Sequence, residues 1–422
     1  MGPYGCVERF DGRSPVKVYI GIDWSESQHD ATFLNEAGAV ITHLVFPHTL
    51  PGLLRFDTAR RRLGVEPADC LVGLETAHNL LIDFLWDRGY AHLYVVPPNV
   101  VKSSQGRYRQ SGARSDPADS FILADYLRTA PQPSYPWFPD SPLTRQMRAQ
   151  VSLLLDLKRD ILRYSNRLRA LLLRYHPAAF HTFSSLTTRI SLHFIQAFPT
   201  PADAARLEWE DFLAFARRHR YPNPARHLPA CFARLRAPYP QPSQETVQAC
   251  QPQAAALASL LLTLLDQRDQ AMQRLRQLFA QHPDAFIFNS LPGAGPFLAP
   301  ALLVKFGDDR RRFPSPAAVQ ALAGTAPITL RSGKRKVVRF RRACDRAFRH
   351  IAQQWAIASV SQSAWAQTYL EQALARHMSR NQAYRCLANR WLAIAWKLWQ
   401  TRQAYDEAYH MKRWAQRQKP LA

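Results

Sequence analysis

The feature of this sequence that most restricts its fold is a set of three extended runs near the start, followed by alternating helices and strands. The runs KVYIGID, DATFLN and AVITHLVF lie between residues 17 and 46, and the turn NEAGA, with Gly38 at its tip, makes the last two a hairpin. A helix ending at Gly64, the apolar strand CLVGLE, another helix, the strand HLYVVPP and a helix beginning at Asp116 come next. The predicted order is βββαβαβα.

This order is that of an RNase-H-like α/β domain, which we predict over residues 17–128. Five prolines between residues 129 and 143 predict a linker. Amphipathic patterns at 144–175 and about 254–278 favour an antiparallel coiled coil within a helical region at 144–285, although an ordinary helical bundle fits almost as well. A proline-rich insertion without an assigned role occupies 221–243, and a mostly α-helical domain is predicted at 286–410.

The charge of the chain is strongly positive and unevenly distributed. The 55 Lys and Arg outnumber the 32 Asp and Glu, which gives a net charge of +23. Residues 1–128 hold 13 basic and 15 acidic side chains, so the other 42 basic and 17 acidic side chains leave a surplus of 25 positive charges in residues 129–422. Such a region favours nucleic acid as the partner, ahead of a membrane surface or a merely basic proteome.

The cysteines argue against a zinc site and against a disulfide framework. All six are scattered, without a CxxC pair or a Cys/His cluster, and this usage fits a reducing cytoplasm. The N-terminus has no signal-peptide pattern. The most apolar run, which starts at Leu257, is too short to span a bilayer.

Four carboxylates fall at positions that the predicted fold brings together. Asp23 ends the first strand and Glu75 ends the fourth, and these strands are neighbours in an RNase-H-like sheet. Asp116 and Asp119 share one face of the last helix, which packs beside the same sheet edge. Four carboxylates at one place repel one another unless cations neutralise them, and hard oxygen ligands suit Mg²⁺ or Mn²⁺. We therefore predict a metal site that acts on phosphodiesters.

Each of these carboxylates also has a simpler explanation. Asp116 is a suitable N-cap, and Asp119 favours the helix dipole. Glu75 could simply end a strand, and a GID sequence like that at Asp23 also occurs in actin-like or sugar-kinase folds, where it serves ATP. The joint order of the four, without a second phosphate loop, favours the metal site.

The densest cationic segment of the chain surrounds a serine followed by a glycine. Residues 331–349 contain nine basic residues and one acid, with Phe340 and Phe348 interleaved, and predict a phosphate-backbone surface. A solvated basic loop is the alternative. Gly333 permits a tight turn that exposes the Ser332 hydroxyl, but no His/Asp partner is evident nearby, so the residues alone favour an ordinary turn serine. The candidate nucleic-acid-binding residues are Lys102, Arg107, Arg109, Arg114, Arg331, Lys334, Arg335, Lys336, Arg339, Arg341 and Arg342.

A turn rich in glycine and proline, LPGAGP at residues 291–296, precedes an apolar helix. It resembles the hairpin of helix-hairpin-helix modules, whose glycines let backbone amides approach a phosphate. A plain turn that packs into a helical core is an equally good explanation.

Together these motifs resemble those of the insertion-sequence 110 transposases, also described as bridge-RNA-guided recombinases. GID at Asp23, GLET at Glu75 and SDPADSFILADYL at Asp116 and Asp119 resemble the family's DEDD quartet in a RuvC-like domain. The segments LPGAGPFLAPALLVKFGD, FPSPAAVQALAGTAP and RSGKRK resemble its C-terminal transposase domain. The resemblance covers residues 18 to about 399.

The resemblance implies a DNA transposase that binds Mg²⁺ (or Mn²⁺) at the DEDD site and attacks DNA with a serine. Ser332 matches that serine by its SG context, and a covalent phosphoserine would keep the phosphodiester's energy for strand exchange. Metal ions at the DEDD site, on the same or another subunit, would activate Ser332. The resemblance further implies donor and target DNA, a structured non-coding guide RNA, a dimer or tetramer, and a cytoplasmic, nucleoid-associated location in a prokaryote.

The sequence departs from this family at two places. Lys334 stands where the family often has a second glycine, and RRACDR at 341–346 replaces the usual Lys-Arg-Gly segment. The five proposed catalytic side chains are present. The departures weaken any inference from the family about which residues contact RNA. Two other functions stay open: a hydrolytic junction nuclease that uses only the DEDD site, and a non-catalytic nucleic-acid-binding protein.

Overall fold

The computed structural model describes residues 18–77, 80–105, 116–130, 136–333 and 335–418, which belong to two compact units. The first unit, residues 1–139, is mixed α/β, and the second, residues 140–422, is mostly helical. Each unit has its own hydrophobic core.

The first unit is built on a five-stranded sheet with helices on both faces. Its strands are β1 (Val18–Trp24), β2 (Gln28–Leu34), β3 (Val40–Pro47), β4 (Cys70–Leu74) and β5 (His92–Val95). Its helices are α1 (Leu50–Arg62), α2 (Leu80–Asp87), α3 (Pro98–Gln105) and α4 (Asp116–Thr129). The elements follow the predicted order, except that the sequence pattern did not reveal α3, because the apolar run of β5 leads directly into the prolines that start it.

The sheet has the strand order β3-β2-β1-β4-β5. β1, β2 and β3 pair antiparallel, whereas β1 with β4 and β4 with β5 are parallel. This order is consistent with the RNase-H-like prediction, and β1 and β4 are neighbours as expected. Since they run parallel, their carboxyl ends lie side by side at one edge of the sheet.

Alternation along the strands divides the apolar side chains between the two faces of the sheet. Ile20 and Ile22 of β1 pack on one face with Phe56 of α1. Leu71 of β4 packs on the other face with Leu123 of α4. The face covered by α4 is the one on which the acidic residues discussed below lie.

The second unit is a set of helices with one β-hairpin. Its helices are α5 (Pro142–Tyr175), α6 (Pro177–Thr182), α7 (Arg189–Ala197), α8 (Pro201–Ala205), α9 (Trp209–Arg218), α10 (Pro224–Leu235), α11 (Gln244–Ala280), α12 (Ala285–Asn289), α13 (Leu298–Phe306), α14 (Pro316–Leu322), α15 (Arg346–Ser359), α16 (Ala364–Ala375), α17 (Arg380–Thr401) and α18 (Glu407–Gln418). The hairpin consists of β6 (Ile328–Ser332) and β7 (Arg335–Arg339). None of the helices that the structure describes combines the length and apolar character needed to cross a membrane.

The long helices α5 and α11 pack antiparallel and take part in two separate cores. The first half of α5 places Met147 in a core that also contains Leu275 from the end of α11. The second half of α5 places Leu168 in another core together with Ala258 of α11. The helix pair favoured by the sequence is thus present, and smaller helices build a bundle around each of its ends.

The segment between the long helices, which includes the proline-rich stretch 221–243, is largely helical. Helices α6 to α10 occupy most of residues 177–235 and contribute Phe194, Phe212 and Leu228 to the second core. Helix α10 lies within the proline-rich stretch 221–243, because Pro224 occupies the first helical turn, where a missing N–H removes no hydrogen bond. Helix α11 begins at Gln244, earlier than the predicted residue 254.

Candidate active site

Helix α4 lies directly against the sheet because β1 has a glycine at the point of contact. A Cβ atom on Gly21 would lie 2.0 Å from the carbonyl oxygen of Ser120 and 2.5 Å from the amide nitrogen of Ala124. Only glycine leaves room for this approach of two backbones. The hydroxyl oxygens of Thr32 and Ser120 are 2.7 Å apart and hydrogen bonded, which fixes the first turns of α4 at the same place.

Asp23 and Glu75 leave their strands on the face that α4 covers. Gly21 and Gly73 are partners in the parallel register of β1 and β4, and both contact α4. Asp23 lies two residues after Gly21 on the extended chain of β1, so it projects to the same side as Gly21. Glu75 lies two residues after Gly73, in the bend that directly follows β4. Asp119 immediately precedes the Ser120 contact on α4, so the sheet edge and the helix start bring acidic residues together.

The electrostatics of Asp23 show that the four predicted carboxylates share one neighbourhood. Burial, as the largest cause, and then the negative charges of Glu75, Asp119 and Asp116, in that order, together raise the pKa of Asp23 from its ordinary 3.8 to about 7. Such interactions weaken with distance, so these side chains lie near one another. Asp116 is the first residue of α4 rather than its N-cap. Asp116 and Asp119 both occupy the first turn, where they favour the helix dipole, so the dipole explanation applies to them as well.

A fifth carboxylate, Asp30, belongs to the same neighbourhood and was missed by the sequence reading. Its charge also raises the pKa of Asp23, after the other causes. Asp30 lies on β2 as the Cα partner of Asp23. The signal was available in the sequence, because a short β1–β2 connection fixes the register and sets the aspartate of DATFLN opposite that of GID.

The donor chemistry of this cluster fits a hard divalent cation, although its side chains are not drawn together around a point. Carboxylate oxygens are the ligands that Mg²⁺ and Mn²⁺ prefer, and burial together with the neighbouring negative charges holds the pKa of Asp23 near 7. Within the described ranges, no group of three or more His, Cys, Asp or Glu side chains is close enough to hold a metal ion. A cation would therefore have to draw these carboxylates inward as it binds.

The serine–glycine pair lies at the turn of a hairpin that the sequence reading did not predict. Strands β6 and β7 pair antiparallel, with Ser332 as the Cα partner of Arg335, so residues 333 and 334 form a two-residue connection. Gly333 has a φ of +56°, which fits the predicted tight turn and favours glycine. The backbone of Ser332 is described, whereas its side chain and Lys334 lie outside the described part of the structure.

The cationic side chains of this hairpin are exposed to solvent. Arg331, Arg335, Lys336 and Arg339 on its strands, together with Arg342 beyond it, are exposed, and Arg341 is half-buried. Lys102 is exposed on α3 of the first unit. The predicted residues Arg107, Arg109 and Arg114 lie outside the described residues. An exposed cationic ribbon of this kind can follow a phosphate backbone.

The two interleaved aromatic residues of this segment have different environments. Phe340 is 40% exposed and lies between two guanidinium groups, with Arg349 at 4.3 Å and Arg385 at 4.5 Å from its ring centre. Phe348 is fully buried in the core of the second unit. The expectation of two available aromatic faces is therefore wrong for Phe348, because it belongs to the apolar face of α15 and not to the loop.

The LPGAGP turn packs inside the second unit at its first glycine. Gly293 has a φ of +73°, and a Cβ atom there would lie 2.5 Å from the backbone of Ala358 and Ser359 on α15. Its amide donates a hydrogen bond of 2.8 Å to Gln362 Oε1. Gly293 therefore packs into the helical core, as the simpler explanation of this turn requires, and its amide is hydrogen bonded within the protein.

Two family models match the chain, one over each of these regions. A model described as a transposase, of the DEDD type of IS110, matches residues 20–177 and contains the acidic cluster. A model described as "Transposase IS116/IS110/IS902 family" matches residues 285–371 and contains the cationic hairpin. The chain is therefore a transposase, an enzyme that acts on DNA.

Similar curated proteins extend over nearly the whole chain. The mini-circle putative transposase for IS117 from Streptomyces coelicolor is 29% identical over 404 residues, which is 93% of this chain and 96% of that protein. The insertion element IS110 uncharacterized 43.6 kDa protein of the same organism is 27% identical over 332 residues, 75% and 78% of the two chains. The insertion element IS900 uncharacterized 42 kDa protein from Mycobacterium paratuberculosis is 25% identical over 402 residues, 93% and 98%. With both family models, these relatives show that the chain belongs to the IS110/IS116 transposase family and that it functions in DNA transposition.

Proposed function

We propose that this transposase cuts and rejoins DNA with a composite site, in which Asp23, Glu75, Asp116 and Asp119 bind Mg²⁺ (or Mn²⁺) and Ser332 is the nucleophile. The α/β unit is assigned to the RNase-H-like class as a RuvC-like domain. The observation that carries the proposal is the raised pKa of Asp23, to which three other carboxylates of the predicted quartet contribute. Carboxylates that repel one another at the edge of a sheet are arranged for a cation.

The carboxylates and the serine have separate tasks in this proposal. Divalent cations, when bound, would lower the barrier by stabilising the charge that develops on the phosphate and on the two exchanging oxygens. Asp23 holds its position because the strand β1 carries it, Glu75 directly follows β4, and α4 is fixed to the sheet at Gly21. The Ser332 turn lies in the exposed hairpin, where cationic neighbours bind the DNA backbone.

The covalent step conserves the energy of the broken bond. The Ser332 oxygen forms a bond to phosphorus while one bridging P–O bond of the DNA breaks. The hydroxyl proton of Ser332 is lost, and the leaving strand end takes up a proton and departs as a hydroxyl group. The resulting phosphoserine ester is of the same type as the bond that was broken, so a second strand end can displace the serine without ATP.

A guide RNA and an oligomer complete the proposal. The surplus of 25 positive charges after residue 128 supports a partner larger than one short DNA site. If base pairing between RNA and DNA reads the sequence, the protein needs backbone contacts rather than a base-reading helix. A dimer or tetramer would allow the acidic cluster of one subunit to act with Ser332 of the same or of another subunit.

The experiment that tests this function is the capture of a covalent protein–DNA adduct. The full chain is expressed together with the DNA that flanks its gene, incubated with Mg²⁺ and labelled element ends, and separated on a denaturing gel. We expect a labelled adduct, and mass spectrometry of its peptides should locate the nucleotide on Ser332. Ser332→Ala should remove the adduct and the transposition products while leaving DNA binding within about twofold.

The control separates the serine mechanism from hydrolysis. Asp23→Asn should also remove the adduct, because without the acidic cluster the serine is not activated. Strand cleavage by Ser332→Ala at the wild-type rate, without any adduct, would instead identify a hydrolytic nuclease that uses only the four carboxylates.

A further inference from the structure

Asp30 shares the active-site face of the sheet with Asp23. The two residues are Cα partners in the antiparallel pair of β1 and β2. Thr32 follows two residues after Asp30, and its hydroxyl bonds Ser120 on α4, which places Asp30 on the same side of β2. Side chains opposite one another in such a pair have Cβ atoms about 4.5–5.5 Å apart. The Asp30 and Asp23 carboxyl groups are therefore neighbours.

A histidine holds the Asp30 carboxyl group in place. Asp30 is only 4% exposed, and its Oδ1 atom is 3.0 Å from Nε2 of His43. His43 lies on β3 as the Cα partner of Thr32, so the hydrogen bond runs diagonally across the strands. The His43 side chain is 33% exposed. The contact anchors Asp30 on the β3 side of the cluster, away from β4, which leads to Glu75.

Apart from the contact with His43, the fold gives no reason for a negative charge at this position. Like charges directly opposite one another on neighbouring strands destabilise a sheet, and burial adds the loss of hydration of a carboxylate. An asparagine could keep a hydrogen bond at the same site without the repulsion. Local violations of this kind are expected where a residue serves function at the expense of stability.

We propose that Asp30 is a positioning residue of the transposase active site, which strengthens divalent-cation binding through its neighbour Asp23 and is itself held by His43. The proposal rests on the proposed function of the acidic cluster. A negative charge just outside the ligands raises their attraction for a cation, and such outer residues commonly change metal affinity by about 10- to 100-fold. Asp30 is not required to touch DNA.

The test measures Mn²⁺ binding and stability of the full chain without nucleic acid. Mn²⁺ is titrated and followed by electron paramagnetic resonance, and melting temperatures are recorded in a chelator. Asp30→Asn should raise the melting temperature of the metal-free protein, because it removes the repulsion, and weaken Mn²⁺ binding about 10-fold or more. A purely structural aspartate would do the reverse, lowering the melting temperature with unchanged Mn²⁺ affinity.

Two controls match this variant. Glu36→Gln removes one negative charge from an exposed position in the β2–β3 turn and should change neither quantity. His43→Gln keeps a side-chain hydrogen-bond donor and should preserve Mn²⁺ affinity better than His43→Ala, which releases Asp30.

The outcomes distinguish this inference from the proposed function. If Asp23→Asn abolishes Mn²⁺ binding while Asp30→Asn binds as tightly as the wild type, the role of Asp30 is wrong and the function stands. If the wild type binds no Mn²⁺ at all, both are overturned.

Discussion

The two charged regions of this transposase are built in opposite ways. The acidic cluster of the first unit lies at the edge of a five-stranded sheet, is partly buried, and depends on a close approach of backbones at Gly21. The cationic ribbon of the second unit is a two-stranded hairpin whose charged side chains are exposed. Each region concentrates charge of one sign.

The proposed function explains this difference by what each region would bind. A small cation tolerates little error in the position of its ligands, which suits carboxylates carried on or next to rigid elements. A phosphate backbone offers many similar contacts, each of modest strength, so exposed and adaptable cations suffice for it. In this proposal, DNA accompanied by divalent ions would supply the opposite charges for both regions.

The largest effect is expected from removing one carboxylate of the acidic cluster. Asp23→Asn should lower strand cleavage by more than about 100-fold, because it removes a metal ligand. DNA affinity, measured by a gel-shift or anisotropy titration, should stay within about twofold of the wild type. If Asp23→Asn cleaved DNA at the wild-type rate, the proposal that the acidic cluster needs accurately placed carboxylates would be wrong.

The next effect concerns the rigid support of the acidic cluster. Gly21→Ala places a Cβ atom 2.0 Å from a backbone oxygen of α4, so the helix must shift. We expect the free energy of unfolding to fall by about 1–3 kcal/mol or more, which is the usual cost of overpacking. Strand cleavage should also fall strongly. Gly73→Ala is the matched control, because its Cβ would first meet the flexible end of Leu127 at 3.1 Å. Denaturant unfolding should show the smaller loss for Gly73→Ala, and equal losses would contradict the role given to Gly21.

Single substitutions in the cationic ribbon should each weaken DNA binding moderately, by a smaller factor than the loss of cleavage in Asp23→Asn. Arg335→Ala and Arg339→Ala should each weaken DNA binding to a similar extent for all sequences, and should lower the slope of log K against log salt by about 1. Val338→Ala removes an exposed apolar side chain from the same strand and should leave the slope unchanged. A sequence-selective loss in either arginine variant would indicate base recognition instead of backbone contact.

The smallest effect is a pH dependence of stability in the absence of metal. The pKa of Asp23 is raised to about 7 in the folded protein, so its proton is held more tightly there than in the unfolded chain. The associated stabilisation is full below about pH 4 and is lost as the pH rises to about 7. Burial lowers the pKa of His29 to about 4, and this group acts in the opposite direction over an overlapping range.

The contribution of Asp23 is therefore isolated by a difference between two proteins. The melting temperature of Asp23→Asn minus that of the wild type, both in a chelator, should increase from pH 4 to pH 7. A difference that stays constant over this range would show that neither burial nor the acidic neighbours raise the pKa of Asp23.

The sequence predicted the strands of the first unit because they follow from local patterns. Alternating β-formers and the order of the elements determine that Asp23 lies near the end of β1 and that Glu75 directly follows β4. The register of β1 and β2, which sets Asp30 opposite Asp23, depends on a turn that was not considered. Gly21 was visible as a letter of GID, but its contact with α4 is a tertiary feature.

The second unit was harder to predict because its prolines and charges obscured the local structure. Pro224 starts a helix rather than breaking one, since only its place in the first turn matters. The β6–β7 hairpin is short, and the two valines of β7 are adjacent, so that strand has no alternating pattern. Phe348 was taken for a surface aromatic because it lies among arginines, whereas the period of α15 directs it into the core.

The most direct test of the account is the position of Mn²⁺ in crystals of the full chain, located by anomalous scattering. We expect a peak within about 2.5 Å of carboxylate oxygens from Asp23 and from at least two of Glu75, Asp116 and Asp119. The same peak should disappear in Asp23→Asn. A crystal saturated with Mn²⁺ that has no peak at this edge of the sheet, with the carboxylates still apart, would contradict the central claim that these residues assemble around a cation.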